Sequence, residues 1–151
     1  MELMSGNEAI AQGAWEAGCT IGVATRARVD GDAGGLRQEG GVYAEWCVNE
    51  KVAVEVGIGA SAAGARVLAT MKHVGVNVAA DPLFTAAYTG VGGGMVILAA
   101  DDPGMYSSQN EQDSHYYAQA AAIPCLDPAD SAELCASPAR PTISPSASTC
   151  R

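Results

Sequence analysis

The sequence predicts an α/β domain built on a parallel, doubly wound sheet. Helix and strand signals alternate along the chain, which is the element order of parallel sheets. One run, Gly94–Ala99, is continuous and apolar, as strands covered on both faces are. The 151 residues also include 18 Gly and 29 Ala against only 5% aromatics. Side chains that small let helices press close to a sheet.

Taken in order, Ser5 and Asn7 are both suited to cap a helix reaching about Ala17, with Ile10, Ala14 and Ala17 on one face. A short strand is expected at Thr20–Val23 and another at Gly41–Glu45. Asn49 caps a helix running to about Arg66, whose buried stripe is read as Val52, Val56, Ala60 and Ala63. Val67–Met71 reads as a buried strand and Lys72–Asn77 as a loop. Val78–Thr89 reads as a helix in which Pro82 either sits in the first turn or causes a kink. After the apolar strand comes a polar loop, Asp101–Asp113, then a helix near Ser114–Ala122 and a last strand at Ile123–Leu126. Asp127-Pro128 opens a further helix. Residues 24–40 hold three of the six arginines and show no period, and the Ser/Pro-rich tail from Ala136 reads as disordered.

The formal net charge of −9 argues against a nucleic-acid or anionic-membrane surface, since both require clustered positive charge. The longest apolar run, Val91–Ala100, is too short to span a bilayer, and no secretory signal is visible, so a cytoplasmic location is expected. Five cysteines without C-x-x-C spacing suit neither a disulfide framework nor a zinc site.

Few residues stand out chemically. Glu50 opens a helix whose next positions are apolar, so its carboxylate is either a half-buried functional group or a simple complement to the helix dipole, worth a few tenths of a kcal/mol. His73 stands at a strand-to-loop junction. Asp101, Asp102, Glu111 and Asp113 match no familiar metal-ligand spacing and are read as solvated loop charges; no metal site is expected. The GVGGG run at Gly90–Gly94 lacks the spacing of a phosphate-cradling loop.

Two unusual strings, TMKHVGVNVAADP and DDPGMYSSQNEQDS, lie within a continuous likeness from Glu45 to Asp130. Over that stretch the chain resembles the alpha subunit of indolepyruvate:ferredoxin oxidoreductases, thiamine diphosphate-dependent enzymes of the 2-oxoacid:ferredoxin group. The resemblance implies a pyrimidine-binding domain over residues 1–135, with 24–40 aberrant and 136–151 a disordered tail. It implies that Glu50, within NEKVAVE, is the glutamate that hydrogen-bonds N1′ of the aminopyrimidine. A carboxyl shielded by apolar neighbours can stay protonated and favour the imino tautomer, which assists proton removal from the thiazolium. Lys72, His73, Gly75 and Asn77 are implied to face the cofactor ring. Gln109 and Asn110 are implied to face the 2-oxoacid, with His115 standing where related enzymes carry an Arg.

In the intact enzyme the resemblance implies oxidative decarboxylation of arylpyruvates, with coenzyme A and ferredoxin as partners, a beta subunit and a second alpha chain. Neither the GDG-type motif that holds the diphosphate and Mg²⁺ nor the cysteine-rich iron–sulfur segment occurs in this sequence. The resemblance therefore sets the chain at roughly the first quarter of the family length, inactive alone. The rival reading is a non-catalytic truncated product that keeps only the domain's association surface.

The family expects a GYPGTPS-like turn and an amphipathic helix where residues 24–40 stand. A shifted reading frame would supply them: codons for Val23–Arg28 can spell GYPGT and those for Val29–Gly40 SMEMLAALGRR, while Arg140–Arg151 can give AYDLTERLDVP. The coding DNA checks this. Both stretches are expected to be disordered in a marginally stable domain.

Overall fold

The structure is a computed structural model, and it describes residues 4–25 and 41–139. The expectations for residues 26–40 and 140–151 lie outside the described residues.

Helix α1 (Gly6–Glu16) starts at Ser5 rather than Asn7. The Ser5 hydroxyl accepts the Glu8 amide at 3.3 Å, and the Glu8 carboxylate accepts the Ser5 amide at 2.8 Å. This reciprocal capping box satisfies two otherwise orphaned donors. Strand β1 (Ile21–Thr25) follows, two residues longer at its end than expected. Ala24 and Thr25, read from sequence as part of an aperiodic stretch, are buried members of this strand. Strand β2 (Tyr43–Cys47) forms the exposed edge.

Helix α2 (Glu50–Ala62) begins where Asn49 caps the Val52 amide at 2.9 Å. It stops four residues before Arg66, because Gly64 takes a φ of +95°. The amides of Gly64 and Ala65 then bond to Ser61 and Ala60 in a Schellman arrangement. Its buried face is Ala53, Val54, Gly57 and Ser61, not the expected Val52–Val56–Ala60–Ala63 stripe. The helix is apolar nearly all round, so periodicity alone did not select the face. Gly57 did, since it is where the helix meets Met95 and Val67.

Strand β3 (Val67–Lys72) is buried except at its last residue. The expected loop over Lys72–Asn77 is instead the strand's end followed by a short helix, α3 (His73–Val78). Packing of His73, Gly75 and Val76 overrides the weak helix propensity of HVGVNV. Helix α4 (Ala80–Thr89) accommodates Pro82 in its first turn, where the missing N–H costs nothing. Strand β4 (Met95–Ala100) is fully buried only at Met95. It was expected to be covered throughout, but nothing among the described residues pairs with its far edge.

Helix α5 (His115–Ala121) ends at Ala122 in the left-handed region, φ 54°. The strand expected at Ile123–Leu126 does not form, and Pro124 removes a donor that a ladder there would need. The final helix, α6 (Ser131–Ala136), starts at Asp130, whose carboxylate accepts the Glu133 amide at 2.8 Å, rather than at Asp127-Pro128. A 3-10 turn, Ser137–Ala139, continues where the tail was expected to lose order.

The four strands run parallel in the order β2-β1-β3-β4. Ile10, Ala11 and Ala14 of α1 pack with Cys19 and Leu68 on one face. Residues of α2, α3 and α4 pack with Val67, Ala69 and Met71 on the other. Helices on both faces make the sheet doubly wound, as expected. Cys19, Cys47, Cys125 and Cys135 are free thiols. Among the described residues, no helix is long and apolar enough to cross a membrane.

Candidate active site at the ends of the central strands

In a sheet of this order the chain leaves β1 in one direction for β2 and returns in the other for β3. The crevice at the carboxyl ends of β1 and β3 is therefore the topological switch point, where such sheets bind ligands. Thr25 ends β1, Glu50 opens α2, and Lys72 ends β3 with His73 directly after it.

The Thr25 hydroxyl donates to Glu50 Oε1 at 2.9 Å. Gly75 lies against the same side chain: a Cβ there would stand 2.5 Å from Glu50 Cγ and 3.0 Å from Met71 Cβ. Only a glycine lets α3 approach this closely, and the approach confines the half-buried carboxylate.

Lys72 reaches the loop after β4. Its Nζ lies 3.3 Å from Asp102 Oδ2 and 3.2 Å from both the carbonyl and the hydroxyl of Ser107, and it also meets the Ser108 hydroxyl. Asp102 accepts the Ser108 hydroxyl at 2.7 Å and the Ser107 amide at 2.9 Å. Those two bonds, then the Lys72 ammonium, hold its carboxyl well below the usual carboxylate range. Asp101 is likewise engaged, accepting the Ser114 amide at 3.0 Å. The reading as a solvated charge holds for Asp101, which is hydrogen-bonded but exposed, and is corrected for Asp102. Asp102's side chain is only 15% exposed and is part of the loop's scaffold.

His73 is completely buried, with Nε2 3.0 Å from the Asn110 carbonyl. A carbonyl only accepts, so Nε2 carries a proton, and in the neutral ring Nδ1 is left as an acceptor. Among the described residues His73 Nδ1 has no partner, and neither do the buried Asn110 Oδ1 and Gln112 Oε1.

The structure thus links Glu50 with Gly75, and Lys72 and His73 with the 102–110 loop. Gln109 is exposed on that loop. Asn77 turns to α5, where Tyr117 donates to its Oδ1 at 2.5 Å. His115 pairs with Asp113 at 2.6 Å and lies 3.7 Å from Asp127. No hydrogen bond among the described residues ties Asn77, Gln109 or His115 to the Glu50 pocket. Among the described residues no group of His, Cys, Asp and Glu side chains could hold a metal. The Gly90–Gly94 run turns α4 into β4 at the opposite end of the sheet.

Thr25 is not singled out by the sequence, and Asp102 is considered there only as a metal ligand or a solvated loop charge, not as a scaffold for Ser107 and Ser108. For Asp102 a signal existed: an Asp-Pro-Gly turn followed by Ser-Ser, a pattern in which an Asp side chain caps the amides downstream. Thr25 carried no signal, because its role depends on a helix 25 residues away.

The Asp113 hydrogen bond, then its charge, pushes the His115 imidazole above its ordinary 6.5. A raised value means that the pairing favours the folded state fully below about 6.5, and that this fades as pH rises through the folded value. At 54% exposure the effect on stability is screened, so titration is the better readout. Asp113→Asn is expected to lower the His115 midpoint toward 6.5 in an NMR titration, and an unmoved midpoint would count against the pairing.

The fold defines a class. It is a parallel α/β architecture shared with part of a 2-oxoacid:ferredoxin oxidoreductase. The 2-oxoglutarate:ferredoxin oxidoreductase of Magnetococcus marinus, solved with 2-oxoglutarate, coenzyme A and succinyl-CoA bound, superposes with a TM-score of 0.60. That likeness covers 76% of this chain and 21% of that one at 21% identity. No protein-family model matches the chain. By sequence it is a homologue of part of the indolepyruvate oxidoreductase subunit IorA. It is 50% identical to the Archaeoglobus fulgidus subunit over 86% of this chain and 23% of the relative. It is 47% identical to that of Methanothermobacter thermautotrophicus over 85% and 22%, and 45% identical to that of Pyrococcus abyssi over 83% and 20%. The chain thus spans 20–23% of the length of these relatives.

Proposed function

We propose that this chain supplies one half of the active site of a thiamine diphosphate-dependent 2-oxoacid:ferredoxin oxidoreductase acting on arylpyruvates such as indolepyruvate. The observation that carries the proposal is Glu50. Its carboxylate stands at the switch point, held on one oxygen by Thr25 and confined by Gly75. That arrangement fits an aminopyrimidine ring, because Glu50 Oε2 has no protein partner among the described residues and is available to a ring nitrogen.

The bound cofactor would supply a carbon nucleophile and an electron sink for decarboxylation. Glu50 would hold or release a proton at Oε2 against N1′. Thr25 fixes the rotamer by bonding Oε1, so the proton-bearing oxygen points one way. Gly75 keeps α3 close enough to limit water at the carboxyl. The loop that ends at Asn110 forms the wall facing the 2-oxoacid. The diphosphate and Mg²⁺, the iron–sulfur clusters, the beta subunit, the second alpha chain, coenzyme A and ferredoxin belong to the remainder of such an enzyme.

Complementation tests this reading. A full-length relative whose matching segment is replaced by this chain's residues 41–139 is expected to reduce a viologen dye when given indolepyruvate. The 151-residue chain alone is expected to show no tight thiamine diphosphate binding by calorimetry with Mg²⁺. A folded replacement that oxidises no arylpyruvate, or micromolar binding by the chain alone, would sink the half-site proposal.

A further inference from the structure

Lys72 and His73 are adjacent residues that grip one loop at two places. We propose that they are positioning residues, a clamp that fixes the 102–110 loop over the end of β3, and that neither binds a ligand through the groups it uses to do so. The proposal rests on the reading of this loop as the substrate-facing wall.

Proton counting carries the argument for Lys72. An ammonium has three N–H donors. Four oxygens already surround this one: Asp102 Oδ2, the Ser107 carbonyl and hydroxyl, and the Ser108 hydroxyl. Its side chain is 15% exposed and its charge faces a carboxylate equally withdrawn from water. No donor remains to grip a substrate carboxylate.

For His73 the argument is the tautomer. Nε2–H is committed to the Asn110 carbonyl, and the ring is fully buried. Asp102 extends the Lys72 grip along the loop, since its carboxylate also accepts the Tyr106 amide at 3.2 Å and the Ser107 amide at 2.9 Å. The strand end therefore dictates the loop from Asp102 through Ser108, and again at Asn110. The Asn110 side-chain oxygen, buried without a partner, is the polar atom that this clamp would place.

The test is amide hydrogen exchange on the full 151-residue chain. Lys72→Met is expected to speed exchange at Tyr106 and Ser107 about tenfold while Leu68 and Thr70 in β3 keep their protection, and Lys72→Arg is expected to restore most of the loss. Nitrogen NMR is expected to show His73 protonated at Nε2 and bare at Nδ1. In the enzyme containing this segment, Lys72→Met is expected to raise KM for the arylpyruvate about tenfold with a smaller change in kcat. Unchanged loop exchange, parallel loss of protection in β3, the opposite tautomer, or a loosened loop with unaltered KM would each overturn the clamp. The exchange and NMR arms involve no substrate. A failure of the proposed function would appear separately, as absent turnover in the unsubstituted enzyme.

Discussion

Glu50→Gln is expected to lower arylpyruvate oxidation by roughly 10²–10⁴-fold in a full-length subunit carrying this segment, the range for losing a positioned acid–base group. The substitution is nearly isosteric, and its amide oxygen still accepts the Thr25 hydroxyl, which lies 2.9 Å from Glu50 Oε1 in the native chain. Asn49 still caps α2, and Gly75 still packs against the side chain. What disappears is the carboxyl proposed to exchange a proton with a ring nitrogen. Activity should therefore collapse while the thermal midpoint barely moves, because a single charge at the first turn of a helix is worth only about 0.3–1 kcal/mol. Dye reduction in the steady state, read beside a melting curve, separates these. A kcat within threefold of the native value would remove Glu50 from the chemistry.

A large effect on stability is expected from Gly93→Ala. Gly93 turns the chain from α4 into β4, and its amide donates to the Ser61 carbonyl at 2.7 Å. A Cβ there would stand 2.2 Å from the Ala65 carbonyl oxygen, 2.4 Å from the Gly64 carbonyl carbon and 2.5 Å from its oxygen. All three are backbone atoms, so no rotamer change relieves the clash. The turn must withdraw from the end of α2 and lose its hydrogen bond. The cost of such overpacking is about 3 kcal/mol, which for a chain of this length lowers Tm by roughly 6–12 °C. Gly59→Ala is the control. Gly59 lies in the same helix with nothing within 4 Å of its would-be Cβ. That substitution should raise stability by up to about 1 kcal/mol, the usual advantage of Ala over Gly inside a helix. Equal melting temperatures for the two variants would show that the close approach at Gly93 is not what holds this corner together.

Much of the fold was legible because local chemistry signalled it. Ser5 and Asn49 announce helix starts, and the apolar runs around Val67 and Met95 mark two neighbouring strands of the sheet. Where the reading slipped, a contact distant in sequence was responsible. The face of α2 followed from Gly57 meeting Met95, and the helix at His73–Val78 from packing on β3 and α2. Ile123–Leu126 carried strand-like residues, yet a strand needs a ladder as well as a composition.

The site divides in the same way. Glu50, Lys72, His73, Gly75 and Asn110 were named from sequence, through a resemblance carried by the strings around them. The structure joins Glu50 to Gly75, and Lys72 and His73 to the loop that carries Asn110. Thr25 was not legible, because its role depends on a partner 25 residues away, whereas the local Asp-Pro-Gly and Ser-Ser pattern around Asp102 could not announce its ion pair with Lys72, 30 residues away.

By itself, then, the sequence determined a doubly wound parallel α/β domain and kinship with the IorA subunits, since periodicity, caps and long unusual strings are local properties. Tertiary structure alone decided the buried face of α2, the far edge of β4, with which nothing among the described residues pairs, and the oxygens that surround Lys72. The physical reason is that hydrogen-bond capacity is finite. Whether an ammonium is free to bind depends on which oxygens the fold has already placed around it.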